Sequence, residues 1–285
     1  MTTSVDLVVI GGGPAGCAAA VMATSVGMTV TLVDPGFQLG GALWRIPTIQ
    51  NVLGGHSTGP DLAKAIIADV DRTHATVIQA TAQAIHPSDQ DVTVDLADGT
   101  MIVGRHAVIA TGVRPAQPDD VDWLFAAAGT VLTPLWAADP AYADGATWQV
   151  LGADRPLGTF LRAHPDLDVR FEVLYPPADE YKTHEVRDDA RVTLTRVERH
   201  SLDPDVASRS VDPGKAMIFA NLGVMPATIQ GTQPADDGYC PPDAQHARIH
   251  IGGDLRSARG QRIQTAMGSG AEAALSAYYA SRRIT

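Results

Sequence analysis

The sequence is poor in cysteine, with only Cys17 and Cys240 among its 285 residues. Two thiols so far apart in the chain cannot build the disulfide framework of a small secreted domain or a cysteine-rich zinc site. The histidines and acidic residues are scattered without metal-ligand spacing, so no metal is expected. Cys17 is predicted to be a small core residue of the first helix, and Cys240 is predicted to lie in a surface loop.

Long apolar runs are also missing. No stretch approaches the roughly 18–20 residues needed to cross a bilayer, and no basic segment precedes an apolar one at the N-terminus. The pattern therefore predicts no membrane partner and a cytoplasmic location. The chain has 21 Lys and Arg against 32 Asp and Glu, a net charge of −11. This charge argues against a nucleic acid partner, because phosphate contacts need clustered cations.

The chain does contain a dinucleotide-binding pattern at its start. Val5–Ile10 is a β-branched run typical of a buried strand. Gly11, Gly13 and Gly16 follow with G-x-G-x-x-G spacing, which permits a tight turn, close approach to a pyrophosphate and close helix packing. Asp34 closes the next strand and is placed to accept hydrogen bonds from a ribose. A plain glycine-rich turn is the alternative, but the ordered set of elements favours dinucleotide binding.

The rest of the chain alternates short strands with helices and predicts an α/β fold. The long Gly-rich segment that follows Asp34 is expected to wrap a ligand, and an amphipathic helix follows it from about Gly59 to Thr73. The remaining predicted strands are Thr76–Ala80, Ala82–Ile85, Val92–Leu96, Arg105–Ala110, Thr147–Leu151, Asp168–Leu174, Arg191–Arg199 and Lys215–Ala220. A last strand and a C-terminal helix complete the prediction.

Five features make the chain resemble the thioredoxin reductase family of two-domain FAD oxidoreductases. They are Gly11–Gly16, the Gly40-Gly41 loop with Asn51 and Gly54 downstream, Ala110-Thr111-Gly112, the linker Leu222–Pro226, and Ile251–Asp254 followed by Gln261–Gly270. The resemblance implies two Rossmann-like, three-layer βαβ domains. An FAD-binding domain, residues 1–115 and 222–285, would be interrupted by a degenerate NAD(P)-binding-like domain, residues 116–221. It also implies bound FAD and a homodimer.

The resemblance further implies roles for the residues that match its motifs. Asp34 would hold the adenosine ribose, Asn51 and Asp254 the flavin and ribityl chain, and the backbone N–H groups of Gln261-Arg262-Ile263 the pyrimidine edge. The expected FAD-binding residues are Gly11, Gly13, Pro14, Ala15, Gly16, Asp34, Gly41, Asn51, Ala110, Thr111, Gly112, Gly253, Asp254, Arg262 and Ile263.

The chain departs from this family at two places. The family's Cys-x-x-Cys dithiol should fall in Thr133–Asp139, which reads TPLWAAD and has no cysteine. In the second glycine fingerprint Asp154 occupies the central glycine position, where a carboxylate beside a pyrophosphate costs on the order of several kcal/mol. The basic cluster expected for the 2′-phosphate of NADPH is replaced by PPADE, which contributes Asp179 and Glu180. Ordinary NADPH binding is therefore not expected.

These departures leave three functions open. The first is an NADPH-independent oxidase or dehydrogenase that acts on a small molecule or a modified peptide, with oxygen as the electron acceptor. The second is an NAD(P)H-dependent flavin reductase with an altered nucleotide pocket. The third is a non-catalytic flavoprotein that serves as a partner of other proteins.

By the same analogy, the candidate catalytic residues are His56, Trp44 and Trp136. A histidine titrates near neutrality and suits proton removal, while the two tryptophans could stack on the flavin or on an aromatic substrate. A loop histidine that faces water and core tryptophans are the alternatives. The apolar residues of Leu39–Leu53 and Trp123–Trp136 are candidate contacts of the homodimer.

Overall fold

A computed structural model describes residues 4–203 and 217–282 of the chain. The chain divides into two compact units. Unit 1 comprises Met1–Val113 and Pro226–Thr285, and unit 2 comprises Arg114–Met225. The corresponding boundaries predicted from the sequence lie at residues 115/116 and 221/222. Each unit contains a parallel sheet with crossover helices, which confirms the predicted α/β class with Rossmann-like domains.

The helices are α1 Pro14–Ser25, α2 Gly59–Asp71, α3 Pro156–Ala163 and α4 Ile263–Arg282. The strands are β1 Val5–Ile10, β2 Val30–Asp34, β3 Thr76–Gln79, β4 Ala82–Pro87, β5 Val92–Leu96, β6 Met101–Ile109, β7 Val113–Pro115, β8 Leu124–Phe125, β9 Ala146–Leu151, β10 Val169–Tyr175, β11 Val192–Arg196, β12 His200–Ser201, β13 Met217–Ala220, β14 Val224–Pro226 and β15 Ile249–Ile251. The strand predicted at Lys215–Ala220 begins outside the described residues and is present from Met217 onward.

In unit 1 the parallel strands run in the order β3-β2-β1-β6-β15, and β6 also pairs antiparallel with β5, which pairs with β4. Helices α1, α2 and α4 cover one face, and β4, β5 and the Cys240 region cover the other. Strand β1 is central because the chain order reverses beside it. In such a sheet, ligands bind at the carboxyl ends of the strands, next to the two neighbouring strands between which the order reverses.

Glycines allow α4 to approach α1 closely. A Cβ atom on Gly270 would lie 1.9 Å from the carbonyl oxygen of Ala15, and one on Gly253 would lie 2.8 Å from the Cβ of Ala15. A Cβ on Gly252 would lie 3.2 Å from the Cα of Gly270. The loop that follows β15 is thereby held beside the start of α1, at the same end of the sheet.

Unit 2 has a four-stranded parallel sheet in the order β11-β10-β9-β13. Trp148 on β9 is fully buried and lies 4.9 Å from Phe219 and 5.8 Å from Phe171, measured between ring centroids. This aromatic cluster packs with α3 on one face of the sheet. A second apolar cluster, which contains Trp123 and Leu132, covers the other face.

The segments Leu39–Leu53 and Trp123–Trp136, which are predicted to supply dimer contacts, divide between core and surface. Seven of their apolar side chains are buried within their own unit, namely Leu39, Leu43, Ile49, Trp123, Leu124, Leu132 and Leu135. Four large apolar side chains are exposed, namely Leu53, Phe125, Val131 and Trp136. The buried side chains complete the cores of the units, and the homodimer stays a prediction.

Cys240 was wrongly predicted to lie at the surface. It is fully buried among Ile249, Ile251 and Leu255, and its N–H donates to the carbonyl of Leu255 at 2.9 Å. The two prolines that follow Cys240 indicate a turn, but they do not predict the direction of the cysteine side chain. Cys17 is buried as predicted, in the core on the opposite face of the sheet. Both cysteines are free.

None of the helices in the described residues has the length and apolarity required of a transmembrane helix.

Two variants of α4 test the contact between α1 and α4. Gly270→Ala should lower the free energy of unfolding by about 1–3 kcal/mol, because the added methyl group overlaps the backbone of Ala15. Gly268→Ala, on the same helix but with open space around its Cβ position, should instead raise it by about 0.5–1 kcal/mol through helix propensity. Urea unfolding of both proteins measures the difference, and equal effects would contradict the described packing.

A buried histidine pair joins β6 to β15. His106 Nδ1 and His250 Nε2 are 3.2 Å apart. Burial lowers the pKa of both side chains from 6.5 to about 4. The positive charges of Arg248 and Arg105 also lower the pKa of His106, and the charge of His106 also lowers the pKa of His250. Because the unfolded chain then binds protons more readily than the folded one, the pair's contribution to stability is complete above pH 6.5 and is lost as the pH falls toward 4.

Acid unfolding tests the histidine pair. The free energy of unfolding should fall between pH 6.5 and 4, and His250→Asn should show a smaller fall because it removes one of the coupled protonation sites. His74→Asn, which changes an exposed histidine, is the matched control. Urea unfolding at a series of pH values gives the slopes. Equal slopes for the two variants would contradict the assignment.

Candidate functional site

The loop between β1 and α1 has the geometry that its glycines require. Gly11 has φ +103°, and a Cβ there would lie 2.4 Å from the carbonyl oxygen of Ala110. A Cβ on Gly16 would lie 1.7 Å from the carbonyl oxygen of Gly11. At Gly13, by contrast, no described atom lies within 4 Å of the Cβ position. Two glycines therefore serve the fold, and the middle one borders open space that a phosphate can approach.

The open space at Gly13 lies next to the N-terminus of α1. The helix begins at Pro14, with Gly13 as its N-cap, and no side chain of the described residues caps it. The N–H groups of the first turn, at Ala15 and Gly16, have no carbonyl partner within the helix. They carry a partial positive charge that favours an anion. This terminus fits a pyrophosphate.

Asp34 ends β2 on one side of this terminus. Its Oδ2 accepts the N–H of Gly12 at 2.6 Å, and its Oδ1 accepts the N–H of Gly36 at 2.8 Å. Each carboxylate oxygen retains a further lone pair for a ribose hydroxyl. Beside Asp34 lies a cleft of about 320 Å³, which we name the β2–β3 cleft. It is lined by Asp34, Phe37, Leu39, Ile67, Asp71 and Val77, among others.

Asp254 lies on the α4 side of unit 1, in the loop after β15. The loop is held by the Gly253 N–H, which donates to Ser269 Oγ at 2.8 Å. Burial raises the pKa of the Asp254 carboxyl, and the charge of Arg262 opposes this. None of the described residues hydrogen-bonds the carboxylate, which also borders a cleft of about 390 Å³. The carboxylate is therefore free to accept the hydroxyl groups of a ribityl chain.

The start of α4 offers fewer donors than the sequence implied. The N–H of Arg262 already donates to Thr265 Oγ1 at 3.2 Å, and its guanidinium donates to the carbonyl of Gln261 at 2.7 Å. Ile263 is the first residue of the helix. The N–H groups of the first turn, from Ile263 onward, are the ones that remain for a ligand.

Ala110, Thr111 and Gly112 form the other wall of the glycine loop. Ala110 is buried, and the Thr111 hydroxyl donates to the carbonyl of Ala227 at 2.5 Å. The N–H of Ala227 donates back to the carbonyl of Gly112 at 3.0 Å. These bonds tie the end of β6 to the segment that follows β14, so this wall is part of the scaffold.

The segment from Leu39 to His56 brings further predicted residues into unit 1. Gly41 borders the open space, because its Cβ position lies 3.2 Å from the Cα of Gly13. Asn51 is exposed on a turn, and His56 is partly exposed beside Gly54. Trp44 is partly buried against the helix-side core, and its Nε1 donates to the carbonyl of Leu39 at 2.7 Å. Trp44 thus has a structural role in this loop.

Trp136 belongs to the other unit of the chain. It lies in a short 3-10 helix, Leu135–Ala137, of unit 2. The structure therefore places Trp44 and His56 in the unit that carries the predicted FAD-binding residues, and Trp136 in the other unit. The catalytic roles of all three residues stay predictions.

Neither cysteine has the properties of a redox relay. Cys17 Sγ donates to the carbonyl of Gly12 at 3.2 Å, and burial, with the charge of Asp34, raises its pKa to about 12. Burial also raises the pKa of Cys240. Thiol exchange requires the thiolate, so both side chains are unreactive at neutral pH. Among the described residues, no group of three or more His, Cys, Asp and Glu side chains is placed to hold a metal ion.

A lysine from a neighbouring segment lies beside the glycine loop of unit 2. Lys182 Nζ lies 2.9 Å from Asp179 Oδ1 and 3.6 Å from Asp154 Oδ1. Burial alone would lower the pKa of Lys182, but its hydrogen bond to Asp179 and the two negative charges raise it above its usual range. The three side chains connect the loop after β9 to the 3-10 helix Pro177–Glu185 after β10.

The backbone of this second loop still has a fingerprint turn. Gly152 has φ +96°, and a Cβ there would lie 2.3 Å from the carbonyl oxygen of Asn221. The Asn221 amide donates to the carbonyls of Gly152 and Asp154 at 3.1 and 2.9 Å. The turn is thus retained while its central position carries a charged side chain. Lys182 was missed because its segment was interpreted only as acidic; the Asp179/Lys182 spacing of three residues is the available signal.

The sequence comparisons find similarity in the first part of the chain. Residues 5–129 match the model of a family described as pyridine nucleotide-disulphide oxidoreductase. The thioredoxin reductase of Ureaplasma parvum serovar 3 is 36% identical over 110 residues, which cover 38% of this chain and 35% of that protein. The chain therefore spans only about a third of the length of this curated relative.

Solved structures match the whole fold. The thioredoxin reductase of Lactococcus lactis superposes with a TM-score of 0.76 at 18% identity and covers 98% of this chain and 99% of its own. The thioredoxin reductase of T. acidophilum gives 0.75 at 19% identity, with 99% of both chains covered. These findings confirm the resemblance inferred from the sequence, the two-domain fold and FAD as the family's cofactor. The open space at Gly13, the uncapped α1 terminus and the unbonded Asp254 carboxylate fit that cofactor.

Gly13→Val tests the cofactor site. Gly13 has φ −72°, a conformation that any residue adopts, and open space around its Cβ position, so the variant should fold. The valine side chain would occupy the space of the pyrophosphate, and the purified protein should lack FAD. Flavin absorbance and circular dichroism measure the two properties. A folded variant that retains wild-type flavin would contradict the site, as would a colourless wild-type protein that FAD cannot reconstitute.

Proposed function

We propose that the protein is an FAD-dependent oxidase or dehydrogenase that does not use NADPH. The chain has the fold of the thioredoxin reductases, and its residues 5–129 match the pyridine nucleotide-disulphide oxidoreductase family. Its reductant is an organic substrate, either a small molecule or a modified peptide, and its electron acceptor is oxygen. The proposal includes a homodimer and a cytoplasmic location.

The Asp154–Lys182–Asp179 bridge carries the proposal. A fingerprint loop binds a pyrophosphate through open backbone N–H groups and a central glycine that has no side chain. Here the central position carries Asp154, and an ammonium group already neutralises it. Removal of Lys182 by a phosphate would leave Asp154 and Asp179 unpaired beside an anion, where like charges repel. The loop is therefore unsuited to NADPH in either arrangement.

The sequence supplies a second support, because Thr133–Asp139 contains no cysteine. In the structure both cysteines are buried, with raised pKa values. Electrons therefore have no dithiol through which to leave the flavin site. Direct exchange between the cofactor and a diffusible molecule remains, and oxygen is an acceptor that needs no protein relay.

FAD, when bound, accepts a hydride equivalent from a substrate and returns two electrons to an acceptor. The substrate would lose one hydride and one proton, and oxygen would take up two electrons and two protons to give hydrogen peroxide. In unit 1, the first turns of α1 and α4 would hold the cofactor with Asp34 and Asp254. His56, partly exposed on the same unit, is our candidate for the group that takes the substrate proton.

Rapid anaerobic mixing tests the source of electrons. NADPH and NADH should leave the flavin oxidised, because neither finds a phosphate site in unit 2. Asp154→Gly alone should not restore reduction, since the Lys182–Asp179 pair and Glu180 remain. Asp144→Gly, which changes another acidic residue of unit 2, is the control for a general effect of charge.

The outcomes separate the three functions. Reduction of the wild-type flavin by NADPH at roughly 1 s⁻¹ or faster, a rate within the ordinary range of enzyme turnover, would support the altered-pocket reductase and end the oxidase proposal. Reduction by an oxidisable small molecule or peptide, followed by peroxide formation in air, supports the oxidase. A flavin that no tested donor reduces supports the non-catalytic partner.

A further inference from the structure

We propose that Phe37 is a specificity residue that stacks on the adenine ring of FAD in the β2–β3 cleft and makes the site prefer FAD to FMN. The inference depends on the FAD binding proposed above, but not on the identity of the electron donor. It arises from the exposure of Phe37, which is 94% exposed to solvent at the edge of that cleft.

An exposed phenylalanine in a loop is unremarkable when the loop is loosely held, but this loop is fixed on both sides of Phe37. Before it, Asp34 Oδ1 accepts the N–H of Gly36 at 2.8 Å. After it, the N–H of Gly40 donates to the carbonyl of Gly12 at 2.8 Å, and Trp44 Nε1 donates to the carbonyl of Leu39 at 2.7 Å. The backbone thus presents the aromatic ring to solvent at a defined place.

The cleft beside the ring has apolar lining residues as well as the polar residues Gln38, Asp71 and Gln79. Ile67 of α2 and Val77 of β3 line it together with Leu39, and Val77 is 47% exposed. Burial of apolar surface is favourable in proportion to its area, so Phe37 and Val77 both gain if a flat apolar ring enters. A cleft of about 320 Å³ has room for a purine.

The position of Asp34 decides which ring enters. Asp34 lines the cleft and also bonds the N–H of Gly12 in the glycine loop. A ligand whose pyrophosphate lies at Gly13 and whose ribose bonds Asp34 therefore directs the base attached to that ribose into the cleft. In FAD this base is adenine. FMN has no adenosine and cannot use the cleft, which gives the site a means of discrimination.

Titration of the apoprotein tests the proposal with three ligands. FAD and ADP share the adenosine diphosphate, whereas FMN lacks adenosine. Phe37→Ala should lower the affinity for FAD and for ADP by about 10-fold, in keeping with the usual effect of base stacking on an aromatic side chain. The affinity for FMN should not change. Phe37→Tyr should retain wild-type affinity. Met101→Ala, which removes another exposed apolar side chain of unit 1, is the matched control.

A spectroscopic variant adds a direct readout. In Phe37→Trp, ADP should quench the emission of the new indole if the two rings stack, and FMN at saturating concentration serves as the comparison. Calorimetry of ADP binding provides the affinities without any enzyme activity.

Each outcome decides between explanations. Equal ADP affinity for Phe37→Ala and wild type, within about twofold, overturns the stacking role, since a stacked base contributes more than that. An equal loss of affinity for FAD and FMN also overturns the stacking role, because the substitution then affects the flavin site or the folding of the protein. If wild-type protein binds neither FAD nor ADP, the FAD proposal itself fails. If NADPH reduces the flavin and Phe37→Ala lowers the affinity for ADP, only the oxidase proposal fails.

Discussion

The site of unit 1 depends on a contact that leaves no room for side chains. The start of α1 lies between the end of β1 and helix α4, where a Cβ on Gly16 would meet the carbonyl of Gly11 at 1.7 Å and one on Gly270 would meet that of Ala15 at 1.9 Å. Because the helix terminus is fixed on both sides, its N–H groups face the open space at Gly13. Asp34 and Asp254 belong to the segments that enclose it, so the whole cofactor site follows from this packing.

Unit 2 has a glycine turn like that of unit 1, but charged side chains lie at it. Gly152 has a positive φ and a close contact with Asn221. The central position carries Asp154, and Lys182 neutralises it from the neighbouring 3-10 helix. The bridge satisfies charges that would otherwise be only partly solvated. These charges are the basis of our proposal that unit 2 does not bind NADPH.

Much of this could be predicted from the sequence, because the informative signals are local. Strands β1 and β5 match their predicted bounds, since β-branched runs between turn residues are distinctive. The glycine spacing similarly predicts the turn at Gly11, whose positive φ the structure shows. The errors concern the direction of side chains in irregular segments. Neither the burial of Cys240 nor that of Leu43 follows from local pattern, because tertiary packing decides it. The Lys182 bridge depends on two segments that are distant in sequence. The position of the exposed Phe37 depends on three hydrogen bonds, two of them made by the side chains of Asp34 and Trp44, that no sequence motif predicts.

The central claim is that unit 1 accepts a dinucleotide and unit 2 does not. Isothermal titration of the flavin-loaded protein with NADPH tests it most directly, because binding is measured whether or not electrons are transferred. The account predicts no saturable heat at NADPH concentrations up to about 1 mM, the upper end of ordinary substrate affinities. Saturable binding with a Kd of about 1 μM, or roughly −8 kcal/mol, would contradict it, since that affinity requires a working phosphate site in unit 2.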